Sequence, residues 1–315
     1  MIPANHLFWP LLAAALGACW GSFINVVAYR MPQGLSVVNP GSRCGNCERS
    51  IAWYHNIPVV SWLWLRGKCA RCGQSFSIRY MMVEAALAVL AAALWLKLSA
   101  PHHMVLPEIS QVGIAWGLSF TFVALLLTIS LIDLDTMRIP DILSVPGIGL
   151  GILAAWLVPR ITGVPMYESL LGMLIGGGTL LAITYGYFAL TGREGMGLGD
   201  YRLMAMVGAF LGWRSLLFLL IASALQGLAF ALIIKLFKLE DRLPDLDDEV
   251  PLDAVEDHGT VADGIDPDQL PDPVSAPDFR HMAIPFGPFI ALSALEWLIF
   301  EEVWMNLFNR FVFSA

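Results

Sequence analysis

Four of the five cysteines fall into two C-x-x-C pairs, Cys44-Gly-Asn-Cys47 and Cys69-Ala-Arg-Cys72, with 21 residues between them. Each pair offers two thiolates on one tight turn, and two pairs complete the tetrahedron that a structural zinc ion takes. The gap is slightly longer than the usual spacing of about 15–20 residues. Gly45 and Gly73 suit the turns. Four thiolates leave no open coordination position, so an ion held here organises a fold and does no chemistry itself. Two other uses of these thiols stay open. Disulfides are one, although a reducing compartment disfavours them. A redox-active thiol pair is the other, although it needs only one C-x-x-C. The fifth cysteine, Cys19, lies in an apolar stretch and reads as a small core residue.

The second chemical set is made of carboxylates in or beside apolar runs, where charge is costly and tends to mark function. They are Glu84, Asp133, Asp135, Asp141, Glu168, Asp200 and Glu296. Glu84, Glu168 and Glu296 read as interfacial or paired groups. Asp133 closes an apolar run just ahead of Asp135, Arg138, Ile139, Pro140 and Asp141. Asp200 ends Gly195-Met-Gly197-Leu-Gly199-Asp200, where a new helix begins. Two facing carboxylates that share one proton can hydrolyse a peptide bond. One draws a proton from water and the other protonates the carbonyl oxygen. The glycines before Asp200 permit close backbone approach and room for an extended substrate. The same aspartates also suit a helix cap or a surface pair with arginine, and the residues alone leave that choice open.

These groups need a scaffold, and composition names its class. The 315 residues are 57% hydrophobic and 14% charged, against about 25% charged in an ordinary soluble domain. Mean hydropathy is +0.67. A soluble globular chain and a wholly disordered one are both excluded. Apolar runs near 20 residues match a bilayer core of roughly 30 Å. The expected fold is an all-α polytopic membrane protein with eight spans. They are Leu7–Ala28, Tyr80–Leu98, Val112–Leu134, Ile142–Val158, Glu168–Leu190, Asp200–Gly212, Ser215–Phe237 and Ala283–Trp304. A small four-cysteine zinc domain sits between the first and second. No base precedes the first run, and Arg30, Arg43, Arg49, Arg66, Lys68, Arg71 and Arg79 follow it against Glu48 alone. The positive-inside rule therefore puts segment 30–79 in the cytoplasm. Alternation then adds 135–141, 191–199 and 238–282 to the same side, with both aspartates.

The net charge of −8 is local. Residues 240–280 hold 14 acids and 2 bases, a net of −12, which leaves +4 for the rest. That stretch is rich in Asp, Pro and Gly and reads as a mobile cytoplasmic loop. The expected divisions are 1–29 first helix, 30–79 zinc domain, 80–237 transmembrane core, 238–282 acidic loop, and 283–315 last helix and tail. No Gly-x-Gly-x-x-Gly follows a strand, and no nucleic-acid partner is expected.

Several strings together resemble one family. Gly197-Leu-Gly-Asp200 is similar to the G-x-G-D motif of intramembrane aspartyl proteases. Gly21-Ser-Phe-Ile-Asn25-Val-Val-Ala-Tyr29-Arg30-Met-Pro32, both C-x-x-C pairs, Ile57-Pro58 before Ser61-Trp62, and Ser77-Ile-Arg-Tyr80 leading into Glu84 resemble the bacterial prepilin peptidases. So do Ile139-Pro140-Asp141, Glu194-Gly-Met-Gly197 and Ile284-Pro-Phe-Gly-Pro288. The likeness runs from about Gly21 to Phe289. It implies cleavage of the basic leader of type IV prepilins and pseudopilins at the cytoplasmic membrane face, followed by N-methylation of the new N-terminus with S-adenosylmethionine. It further implies Asp133 and Asp200 as the catalytic pair, with Asp135 in reserve, and a zinc ion on Cys44, Cys47, Cys69 and Cys72. Expected partners are prepilin or pseudopilin substrates, membrane lipid and the pilus or type II secretion machinery, in a bacterial inner membrane. Asn25, Tyr29 and Glu84 are candidates for binding near the methylation site. The sequence departs from the family at Tyr201-Arg202, where Phe-Lys is expected, and in the length of the acidic stretch, which could attract a basic leader. A rival from another class is a polytopic transporter or assembly scaffold, with the aspartates as a proton relay and the cysteines as a docking module.

Overall fold

The computed structural model describes residues 6–100, 108–192, 197, 199–236 and 285–313. Ten α-helices follow in order among them: α1 Phe8–Arg30, α2 Val60–Trp64, α3 Ile78–Leu98, α4 Ile109–Thr136, α5 Asp141–Leu157, α6 Pro159–Thr162, α7 Met166–Thr191, α8 Asp200–Leu211, α9 Leu216–Leu236 and α10 Gly287–Phe313. No strand forms among the described residues; two isolated bridges, Arg43 to Ser50 and Lys68 to Ser75, brace the cysteine segment. Contacts separate Gln226–Ile284 from the remainder as a second unit. The acidic loop 238–282, Glu194–Met196 and Ile284 lie outside the described residues.

Local chemistry sets the helix limits. Ser77 caps α3 by accepting from the Arg79 amide at 3.2 Å. Met137, in left-handed geometry at φ 54°, stops α4 and returns its N–H to the Asp133 carbonyl at 2.8 Å. Pro140 then holds Ile139 out of helical geometry and starts α5. Gly192 and Gly212, at φ 65° and 78°, close α7 and α8.

Five helical stretches are long and apolar enough to span: Phe8–Arg30, Ile78–Leu98, Ile109–Thr136, Met166–Thr191 and Trp213–Leu236. The other three expected spans are helices of different character. α5 has 17 residues and contains Pro146. α10 has 27 and bends at Phe300. α8 has only 12, about 18 Å of rise. Residues Leu203 through Leu211 of α8 are all buried, the mark of a helix enclosed by others.

Two apolar clusters share α4. One joins α4 to α1 and α3 through Ile24, Leu87, Leu94, Val112 and Val123. The other joins α4 to α8 and α10 through Phe122, Leu126, Met206, Phe210 and Ile290. Phe122 and Phe210 stack with centroids 4.1 Å apart, worth about 1 kcal/mol beyond area burial. In lipid the driving force for helix association is close van der Waals packing, which small residues permit. Gly172 of α7 and Gly208 of α8 meet backbone to backbone, where a Cβ on either would collide with the other's carbonyl.

Cys19 corrects an expectation. It is exposed on α1, not in the core. A membrane helix is apolar on its outward face too, so an apolar neighbourhood does not mark the interior.

Candidate active site and cysteine module

Asp133 and Asp200 come together at one end of the helices. Asp133 is buried in the last turn of α4, and Asp200 is buried as the first residue of α8. The Asp133 carboxylate Oδ2 accepts the Gly287 amide at 3.0 Å, so the start of α10 fixes its position. Ile139 packs against Gly199 and Gly287, the glycines beside the two aspartates. A Cβ on Gly199 would lie 2.6 Å from the Ile139 Cβ, and one on Gly287 would lie 2.5 Å from Asp133 Oδ2 and 3.4 Å from Ile139 Cδ1. The glycines of this region thus make room for Ile139 and Asp133. Beside Gly197 the nearest atom is Asp200 Oδ2, at 3.8 Å from the position a Cβ would take.

Asp135 has a different task. Its two oxygens take a bidentate pair from Arg79 at 2.7 Å each, and Arg79 also donates to the Leu131 carbonyl at 3.3 Å. The Asp135 side chain is 40% exposed, whereas Asp133 is 4% exposed. On the other flank Arg202 of α8 pairs with Asp141 of α5. The departure at Tyr201-Arg202 therefore retains a cation that ties α8 to α5. Motif reading missed these two clamps. Their signal was an unmatched base and acid at helix ends that alternation puts on one side.

The remaining acids are partnered. Glu168 takes Arg214 at 3.0 Å and the Tyr167 hydroxyl at 3.0 Å. Glu296 lies on α10 and is not free of partners.

The four cysteine sulfurs all lie within 4.8 Å of one another, and Cys44 and Cys72 are 3.6 Å apart. A tetrahedral zinc–thiolate site needs sulfur separations of roughly 3.8 Å from Zn–S bonds near 2.3 Å. The two knuckles repeat one pattern. Cys44 and Cys69 take their amide bonds to Arg49 and Gln74, and Glu48 and Gly73 return theirs to the Cys44 and Cys69 carbonyls. Glu48 and Gly73 hold the equivalent left-handed positions, at φ 53° and 73°. The expected turn role is thus right for Gly73 but falls to Glu48, not Gly45, in the first knuckle. Backbone amides of Cys47 and Asn46 draw the Cys44 thiol down to about 6, and those of Cys72 and Arg71 lower Cys69. Cys47 moves the other way. The Arg49 amide lowers it, but burial and the nearby Cys44 and Cys72 sulfurs outweigh that. Such a cluster becomes fully thiolate only around a cation, and its donor set fits zinc.

Asn25, Tyr29 and Glu84 all line one cavity of about 800 Å³ beneath the knuckles, a size suited to a small-molecule ligand. Asn25 donates to the Tyr80 carbonyl at 3.1 Å, and Glu84 Oε2 accepts the Val59 amide at 2.7 Å.

Known proteins match this chain along most of its length. A family described as Bacterial Peptidase A24 N-terminal domain matches residues 15–98. One described as Type IV leader peptidase family matches residues 120–232. A protein of Myxococcus xanthus named Prepilin leader peptidase/N-methyltransferase is 31% identical over 329 residues, covering 93% of this chain and 91% of its own.

The chain belongs to the type IV leader peptidase family.

Proteins of the same name from Neisseria gonorrhoeae and Pseudomonas putida are 34% and 33% identical. The first match covers 72% of this chain and 82% of that protein, and the second 69% and 77%. No solved structure matches significantly. The two matched family regions coincide with the two sites: the first holds the cysteine module and its cavity, and the second holds both aspartates.

Proposed function

We propose that this leader peptidase cleaves the basic leader of type IV prepilins or pseudopilins and then methylates the exposed N-terminus. The observation that carries the reading is the buried Asp133–Asp200 pair, with Asp133 held by the Gly287 amide. Two like charges in a buried site resist ionising together, so the pair works with one proton. The ionised carboxylate activates water, and the protonated one polarises the scissile carbonyl. Asp135 is occupied by Arg79 and serves to hold α3 against α4.

The cysteine segment 30–79 is the methylation module. Cys44, Cys47, Cys69 and Cys72 would hold a zinc ion, which supplies a rigid fold to the cavity wall. S-adenosylmethionine, when bound, supplies the methyl group, and Asn25 and Tyr29 are residues of its pocket. Residues 80–237 with 283–315 form the peptidase core, and 238–282 is an acidic cytoplasmic loop. The basic segment 30–79 supports placing both sites on the cytoplasmic side of a bacterial inner membrane. The pilus or type II secretion machinery is the destination of the product.

The test is incubation of the purified protein with a prepilin-like peptide. Asp200→Asn is expected to lower cleavage by about 10³-fold or more, the range removed with an essential acid or base. Normal cleavage by this variant would sink the assignment.

A further inference from the structure

The cavity under the knuckles has an unequal charge distribution. Arg30, Arg43, Arg49, Lys68 and Arg71 line it, and Glu84 is the single carboxylate among its lining residues. Glu84 is buried, at 8% exposure, on α3 one turn beyond Tyr80. One of its oxygens is committed to the Val59 amide at 2.7 Å. The other takes no hydrogen bond from any described residue. Val59 itself sits at φ 63°, ψ −52°, a costly conformation for a β-branched residue, and such strain clusters at functional sites. The loop before it is locked by Ser61, which accepts the Ile57 amide at 2.9 Å and donates to the Tyr54 carbonyl at 3.2 Å. Gly21 of α1 packs on the Glu84 backbone, where a Cβ would lie 2.6 Å from the Glu84 Cα. The strained loop therefore fixes the Glu84 carboxylate, while α1 packs on the backbone that carries it.

A ligand with a carboxylate finds partners among the bases. A ligand with an ammonium group finds one carboxylate in the cavity, Glu84, and that one is buried with an oxygen to spare. We propose that Glu84 is the catalytic residue that receives the new peptide N-terminus for methylation; this rests on the two-activity reading above. The free oxygen of Glu84 accepts a hydrogen bond from the terminal ammonium and takes one of its protons. The neutral amine nitrogen then forms a bond to the methyl carbon while the carbon–sulfur bond of the donor breaks, with release of a neutral thioether. Glu84 passes its proton to water. The sum is one methyl group gained by nitrogen and one proton released.

The experiment uses the full-length protein with its metal, purified in detergent. The probes are a decapeptide with a free apolar N-terminus, its Nα-acetylated counterpart, and S-adenosylhomocysteine as a donor-site ligand. Wild type is expected to bind the free peptide about 10-fold or more tighter than the acetylated one, as a charge-assisted hydrogen bond requires. Equal binding of the two would overturn the proposal without any variant being made. Glu84→Gln retains an acceptor for the Val59 amide, and metal content with the thermal midpoint reports its folding. It is expected to lose the preference for the free peptide and to lose about 10²-fold in methylation at saturating donor. Methylation by Glu84→Gln within about threefold of wild type, well short of that loss, removes Glu84 from the reaction while leaving the two-activity reading intact. Absence of both methylation and S-adenosylhomocysteine binding in wild type fails that reading, and the proposal falls with it.

Discussion

The cysteine module and the aspartate pair are built by opposite strategies. In the module the contacts that shape each knuckle are short in sequence: Cys44 bonds Arg49, Cys69 bonds Gln74, and Glu48 and Gly73 close their own turns. In the aspartate site the partners are remote. Asp133 and Asp200 are 67 residues apart, and the donor to Asp133 is Gly287, 154 residues away. The module is a local fold that a metal can complete. The aspartate site exists only when α4, α8 and α10 are all packed. Damage to each half therefore leaves a different trace.

The largest separation is expected from the module. Cys44→Ser combined with Cys72→Ser should abolish zinc binding at the proposed site and lower methylation by about 10²-fold, as loss of a metal-organised wall does. Cleavage should change far less. Metal content and mass spectrometry of product N-termini check this, and equal loss of both activities would erase the contrast between the halves. A smaller, converse effect is expected from Gly287→Ala. The new Cβ displaces the Asp133 carboxylate, and a shift of a few tenths of an ångström costs cleavage about 10-fold. Methylation of a peptide with a free N-terminus should be unaffected. The smallest effect is expected from Arg79→Met. Its pair with Asp135 is partly exposed on both sides, and such pairs contribute up to about 1 kcal/mol. A modest drop in thermal midpoint, and a smaller difference from wild type at high salt, would show that the clamp is mechanical. A loss of cleavage as deep as that of Asp200→Asn would instead place Arg79 in the chemistry.

The same contrast explains what the sequence could reveal. Paired cysteines carry their geometry in their spacing, so the knuckles were legible at once, although the left-handed position in the first turn belongs to Glu48 and looks like nothing special in sequence. Helical character was legible from apolar runs. Burial was not, because lipid and protein core demand the same residues; Cys19 is the example. The chain shows α8 as a short span, yet only packing reveals a helix of 12 residues enclosed on all sides. Asp133 and Asp135 are two residues apart and chemically alike. What separates them is Arg79 on one and Gly287 on the other, partners 56 and 154 residues away in the chain. The cavity used by Glu84 needed three segments folded together before it could be recognised.

The position of α10 in the chain has a consequence for biosynthesis. The ribosome makes Asp133 and Asp200 well before Gly287, and α8 is too short to be held in the bilayer by its own apolarity. Both carboxylates therefore enter the membrane before the amide that orients one of them exists. On the proposed function, the aspartate site therefore stays incomplete until α10 docks and brings the Gly287 amide to Asp133.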